Sequence, residues 1–138
     1  MKILLILLVF VDTCAAVGHV QSIAVHGRLM CNMFIAPPTL VKLYDDDFPD
    51  FDDILDSVKT NYTGEFYLSG STVEYLTMDP KLIIYHDCNH FNDACSQELT
   101  ILIPSSYVTH NISPVKVFEV GTIQLAGKYL EQTVDCIH

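Results

Sequence analysis

Positive charge is scarce in this chain. Seven Lys and Arg stand against seventeen Asp and Glu, a formal charge of −10 over 138 residues, and Arg28 is the only arginine. Nucleic-acid binding draws much of its free energy from cations that neutralise phosphates, and no basic stripe is present to supply them. The same scarcity removes attraction to anionic headgroups as a property of the whole molecule, leaving only a local basic patch to provide it. Long apolar runs are absent beyond the N-terminus, which excludes a membrane-spanning helix there. Helical periodicity is scarce, and internal repeats and low-complexity tails are missing. No G-x-S-x-G elbow offers a serine nucleophile.

The N-terminus itself reads MKILLILLVFVDTCAA. One lysine precedes an apolar run from Ile3 to Val11, and small residues follow up to Ala16. This is the layout of a secretory signal peptide. The run falls well short of the roughly 20 residues that cross a bilayer. Residues 1–16 are therefore expected to be a cleaved leader, and residues 17–138 a single secreted domain. Removal of the leader removes Cys14 and leaves Cys31, Cys88, Cys95 and Cys136, an even number in an oxidising compartment. Asn61-Tyr62-Thr63 and Asn111-Ile112-Ser113 are N-glycosylation sequons, the second weakened by Pro114.

Strand signals fill the rest. SIAVHGRLMC, LVKLY, GEFYLSG, KLIIYHD, ELTILIP and VKVFEVGTIQL alternate apolar and polar positions or run apolar on both faces, rich in β-branched residues. Turn residues divide them at Pro37-Pro38, Pro49, Asn61–Gly64, Ser69–Ser71, Asp79-Pro80, Pro104 and Pro114. About seven short strands in one small domain predict an all-β sandwich.

The order VHGRLMCN, LVKLYDDD, DILDSVKTNYTGEFYLSGS, DPKLIIYHDCN, VKVFEVGTIQLAGKY and DCIH resembles the nematode transthyretin-like family, from about Val20 to His138. The resemblance rests on Thr60, Gly64 and Phe66 in T-x-x-x-G-x-F, followed by IYHDC and GTIQL. It implies a secreted antiparallel sandwich of transthyretin type. It implies no single shared activity, because fold does not set function.

Residues 85–95 read YHDCNHFNDAC. His86, Cys88, His90 and Cys95 could supply four zinc ligands, but their spacing is not that of a zinc finger. In an oxidising compartment the thiols are expected to pair instead. The short polar loop favours Cys88–Cys95, leaving Cys31–Cys136, although four cysteines allow three pairings and the sequence does not choose among them. The transthyretin resemblance implies a first strand beside a late one, which would bring Cys31 near the C-terminal tail. His86 is read as structural, since adjacent Asp87 points to the opposite face of a strand.

DDDFPDFDDILD crowds Asp45, Asp46, Asp47, Asp50, Asp52, Asp53 and Asp56 into twelve positions. Calcium takes such oxygen ligands, but Asp50 and Pro49 break the EF-hand pattern, and the segment is read as a solvated connection between strands. Met30, Met33, Phe34 and Ile35 form either a sheet-edge core or an exposed contact patch. The transthyretin fold also hosts 5-hydroxyisourate hydrolases, which resemble this chain at His26 and LVKLY. They end in Tyr-Arg-Gly-Ser, whereas this chain ends Val134-Asp135-Cys136-Ile137-His138.

The expectation is a non-enzymatic, cofactor-free and metal-free secreted protein that binds an extracellular protein or a cell surface. A carrier of a small apolar ligand, as the transthyretin resemblance implies, is the alternative, and a 5-hydroxyisourate hydrolase the third reading.

Overall fold

A computed structural model describes residues 18–46, 53–89, 95–127 and 132–135. They form nine strands: β1 His19–Cys31, β2 Phe34–Ile35, β3 Leu40–Asp45, β4 Asp53–Lys59, β5 Glu65–Glu74, β6 Pro80–His86, β7 Ser96–Leu102, β8 Phe118–Gln124 and β9 Gln132–Asp135. One sheet is built around β1, with β5 and β2 on one edge and β8 on the other. The second is antiparallel throughout, in the order β4-β3-β6-β7-β9. The all-β sandwich expected from the alternation is present. Each of the six quoted strand segments contains a strand, but Ser69–Ser71 make no turn: they continue β5, paired with Ser22–Ala24 of β1. The additions are the two-residue β2, the C-terminal β9, and β4, which takes up the DILD end of the acidic segment. A bulge between Leu43 and Tyr44 breaks the simple alternation of β4 against β3. The signal-peptide residues, Asp47, Asp50, Asp52, His90 and Cys136 lie outside the described residues.

The long strand β1 organises the first sheet. Its odd-numbered Ile23, Val25 and Leu29 are fully buried against Val41 and Leu43 of β3 and Leu82 and Ile84 of β6. Each such side chain contributes roughly 1.5–3 kcal/mol by leaving water. Its even-numbered His26, Arg28 and Met30 face outward. β1 pairs antiparallel with β5 from His19 to Arg28 and parallel with β8 from Val25 to Met30. Opposite Gly27 the β8 register slips: Glu119 faces His26 and Gly121 faces Gly27, so Val120 has no opposite number. Gly121 absorbs the bulge at φ 81°, a conformation that costs glycine little. Gly27 is required for a different reason. A Cβ there would lie 2.7 Å from the Phe66 ring and 3.2 Å from the Gly121 carbonyl oxygen.

The disulfide pairing differs from the expectation. Cys31, the last residue of β1, is joined to Cys88, just past β6, with Cα atoms 5.7 Å apart. The bond therefore ties one sheet to the other instead of closing the polar loop, and both Cys88–Cys95 and Cys31–Cys136 are excluded. Sequence proximity favoured the wrong partner. Cys88 is buried and packs into the core, toward the opposing sheet. Each cysteine is followed by an asparagine in the left-handed region, Asn32 at φ 58° and Asn89 at φ 61°. Asparagine tolerates that conformation better than most side chains. Asn32 Nδ2 donates to Asn89 Oδ1 at 2.9 Å, so the two turns are joined beside the bond. Cys95 is also disulfide-bonded, to a cysteine outside the described residues.

Peptide mapping without reduction is expected to recover Cys31 joined to Cys88. Because Ser96 stands opposite Asp135 in the β7–β9 register, Cys136 is the expected partner of Cys95. Replacing Cys31 and Cys88 by Ser is expected to cost about 4 kcal/mol in chemical denaturation, the loop entropy for a separation of 57 residues. Gly27→Ala is expected to cost roughly 1–3 kcal/mol in the same measurement, because the Phe66 ring must move.

Candidate functional site

The outward face of the β5-β1-β8 sheet carries a group of polar side chains in contact. The registers place Tyr67, His26 and Glu119 in one row, then Glu65, Arg28 and Thr122, then Met30 and Gln124 with Ile35 of β2. Strand alternation brings these residues to one face from four separate parts of the chain. His26 Nδ1 lies 2.7 Å from Glu119 Oε2, and its Nε2 lies 3.8 Å from Glu65 Oε2. Arg28 Nη2 donates to Glu65 Oε1 at 2.5 Å. Glu65 thus stands between the arginine and the histidine, and the histidine stands between two carboxylates.

A shallow recess of about 180 Å³ opens here, lined by His26, Gly27, Arg28, Glu65, Glu119 and Thr122 together with Gly121. Donors and acceptors alternate around it, so it suits a ligand that offers both. A carboxylate orienting a histidine is half of a general-base arrangement. The lining holds no cysteine, serine or lysine, and Thr122 supplies its one hydroxyl. The four side chains His26, Arg28, Glu65 and Glu119 are 36 to 64 % exposed, so water screens them. Exposed pairs of this kind contribute about 1 kcal/mol or less. They shape a surface more than they hold the fold together.

His86 lies elsewhere. It ends β6 on the inward face, 3 % exposed, and its Nδ1 accepts the Cys88 backbone N–H at 3.2 Å. The structure thus gives it the structural setting expected, while exposed Asp87 points away from it. A second recess of about 190 Å³ lies between His86, the Cys31–Cys88 bond and Pro37-Pro38. Met33 and Phe34 are 88 % and 76 % exposed, so the β1–β2 hairpin is an exposed apolar tip and not edge core. In the acidic segment Asp45 is buried, and its Oδ1 accepts the Asp79 N–H at 2.9 Å. Carboxylate oxygens of Asp45, Asp53 and Glu74 lie within 4.8 Å of one another. Oxygen donors of this kind are those calcium takes. Asp56 serves the fold instead, with Oδ2 accepting the Ser69 N–H of β5 at 3.0 Å. Asn61 and Asn111 are both exposed. Asn61 Oδ1 accepts from the Thr63 hydroxyl and from the Thr63 and Glu65 N–H groups, closing the turn that carries the sequon.

His26 and Arg28 were visible in the sequence, but Glu65, Tyr67, Glu119 and Thr122 were not singled out. Strand alternation alone could have placed Glu65 and Tyr67 outward. Glu119 and Thr122 depend on the parallel pairing and its bulge, which leave no local signal. Glu65→Gln is expected to change folding stability by less than about 1 kcal/mol in chemical denaturation. A larger loss would make the cluster a structural element of the sheet.

Comparison with known proteins agrees with the fold. A model of the transthyretin-like family matches residues 26–104. Transthyretin-like protein 5 of Caenorhabditis elegans is 42 % identical over 139 residues, covering 100 % of both chains. Transthyretin-like protein 33 of the same organism is 43 % identical, over 86 % of this chain and 83 % of its own. Transthyretin-like protein 2, also from Caenorhabditis elegans, is 38 % identical over 95 % of each chain. With the sandwich, the strand order of its motifs and these matches in agreement, the chain belongs to the transthyretin-like family.

Proposed function

We propose that this is a secreted, non-enzymatic binding protein that meets a protein partner, extracellular or on a cell surface, through the outward face of β5-β1-β8. The leader is residues 1–16 and the binding domain residues 17–138. The observation that carries the reading is the continuity of that face. Half-exposed Tyr67 adjoins the His26–Arg28–Glu65–Glu119 cluster, and exposed Ile35 lies beyond it. Protein interfaces are enriched in tyrosine and arginine, and a few such residues carry most of the affinity. The signal-peptide pattern and the two exposed sequons, proposed to carry N-linked glycan at Asn61 and Asn111, support the extracellular setting.

The carrier reading has less support. Ligand pockets usually enclose about 300–1,000 Å³. Among the described residues, the recesses of about 180 Å³ and about 190 Å³ both fall short of this range. Among the described residues no helix is long and apolar enough to cross a membrane.

Expression with residues 1–16 intact is expected to place the chain in the medium, lighter after removal of N-linked glycans. A chain kept inside the cell would defeat the extracellular reading. Unbiased capture from extracellular fractions is expected to yield a partner whose affinity falls at least tenfold in Arg28→Ala/Tyr67→Ala, with the strand spectrum unchanged. Equal capture by that variant would move the site off this face. No turnover of 5-hydroxyisourate is expected, and turnover lost in His26→Ala would instead make the protein a hydrolase.

A further inference from the structure

The recess between β1 and β8 is short of hydrogen-bond donors. His26 Nδ1 lies 2.7 Å from Glu119 Oε2. An ionised carboxylate only accepts, so the proton of this contact sits on Nδ1. In the neutral ring Nε2 is then an acceptor. It faces Glu65 Oε2, a second acceptor, at 3.8 Å, which is too long for a hydrogen bond. Glu119 Oε1 is a third. Among the described residues, His26 is the one partner of the Glu119 carboxylate. Three acceptor atoms thus meet at one small recess.

Positive charge is short there too. Arg28 is the one arginine or lysine in the lining, and it pairs with Glu65. Glu119 has a neutral ring beside it where Glu65 has a guanidinium. Two carboxylates against one arginine leave a negative charge in excess.

Strand register sets the shape. β8 spends two residues across one step of β1, and the floor at that step is Gly27 and Gly121, neither with a side chain. A Cβ at Gly121 would meet no atom within 4 Å, so the space above it is open. Glu119 and His26 stand in one row, Glu65, Arg28 and Thr122 in the next. The volume of about 180 Å³ suits the end of one side chain and falls short of a drug-sized ligand.

A guanidinium answers each of these features. It is planar and carries one positive charge. Its five N–H donors form a rigid fork that can engage a carboxylate through two of them. An ammonium brings the same charge as a compact point and reaches fewer acceptors at once.

We propose that this recess receives an arginine side chain of the extracellular partner protein. Its guanidinium would pair with Glu119 and donate into the gap between His26 Nε2 and Glu65 Oε2. The main-chain carbonyl of the same residue would accept from Arg28 or Thr122. The inference names the chemistry that the protein-binding face selects, and it rests on that reading.

The test is a titration of isotope-labelled protein with N-acetyl-arginine methylamide, followed by magnetic resonance, with the citrulline and lysine derivatives in parallel. The arginine probe is expected to shift the His26 ring and the Gly121 and Thr122 amides, with half-saturation in the millimolar range. Citrulline keeps the shape without the charge and is expected to leave these signals in place. The lysine derivative is expected to bind about threefold more weakly or worse. Glu119→Gln is expected to lower affinity for the arginine probe about fivefold with the strand spectrum unchanged. Glu98→Gln, on the other sheet, is expected to leave it as it was. An equal response to citrulline or lysine, no response through the millimolar range, or full affinity in Glu119→Gln would each overturn the proposal. Partner capture separates this inference from the reading beneath it. Capture lost in Arg28→Ala/Tyr67→Ala but untouched by Glu119→Gln would keep the protein-binding face and remove the arginine. Probe binding at the recess, with captured partners indifferent to Arg28→Ala/Tyr67→Ala, would remove the face and with it the assignment of the arginine to a partner.

Discussion

The bond between Cys31 and Cys88 fixes the point on which the two sheets agree. It joins the end of β1 to the end of β6, so the central strand of one sheet is registered against the middle strand of the other. The surrounding hydrogen bonds extend that registration. Asn32 and Asn89 bond to each other beside it. Gln124 of β8 accepts the Asn32 N–H at 2.7 Å and donates to the Asn32 carbonyl at 2.6 Å, which draws the third strand into the same knot. Three strands from distant parts of the chain are thus positioned within one turn. Positions along β1 are set relative to β6 and β8 together, and both outward faces inherit their registers from it.

From that anchor the first face follows by alternation and one irregularity. Alternation turns Ile23, Val25 and Leu29 inward and His26 and Arg28 outward. The irregularity is the slip of β8 past Gly27. With two residues of β8 spent across one step of β1, Glu119 stays beside His26 while Thr122 comes level with Arg28. Gly27 is pressed between the Phe66 ring and the Gly121 carbonyl, so the slip is locked by packing and not only by turn preference. The polar cluster is therefore a consequence of the core packing beneath it.

Much of this was legible in the sequence. Period-two patterns located the strands that bury their alternate residues, because burial on one face writes that period directly. Where burial is weak the pattern fades. β4 is exposed along most of its length and interrupted by a bulge, so its aspartates read as a solvated connection. The disulfide failed for another reason. Cys88 and Cys95 are near each other in sequence, whereas the Cys31–Cys88 pair is near only after both sheets form. The repeated Cys-Asn dipeptide at 31–32 and 88–89 was present throughout, but it acquires meaning only when the two turns are seen side by side. Parallel pairing of β1 and β8 is equally silent, and with it the partnership of His26 and Glu119.

The same limit governs charge. Read along the chain, Lys42, Lys59 and Lys81 are isolated cations in an acidic sequence, and a net charge of −10 describes the molecule as hostile to anions. Folding sorts these charges by position. Lys59, Lys42 and Lys81 fall on the outward side of β4-β3-β6, while Asp45 and Asp53 at one end of that sheet meet Glu74 of β5 from the other sheet. Lys81 stands one residue from the row that pairs Pro80 with Asp45, so charges of both signs lie within a Debye length there. Net charge bounds the behaviour of a surface only when its charges are evenly spread, and in this sandwich strand register has spread them unevenly.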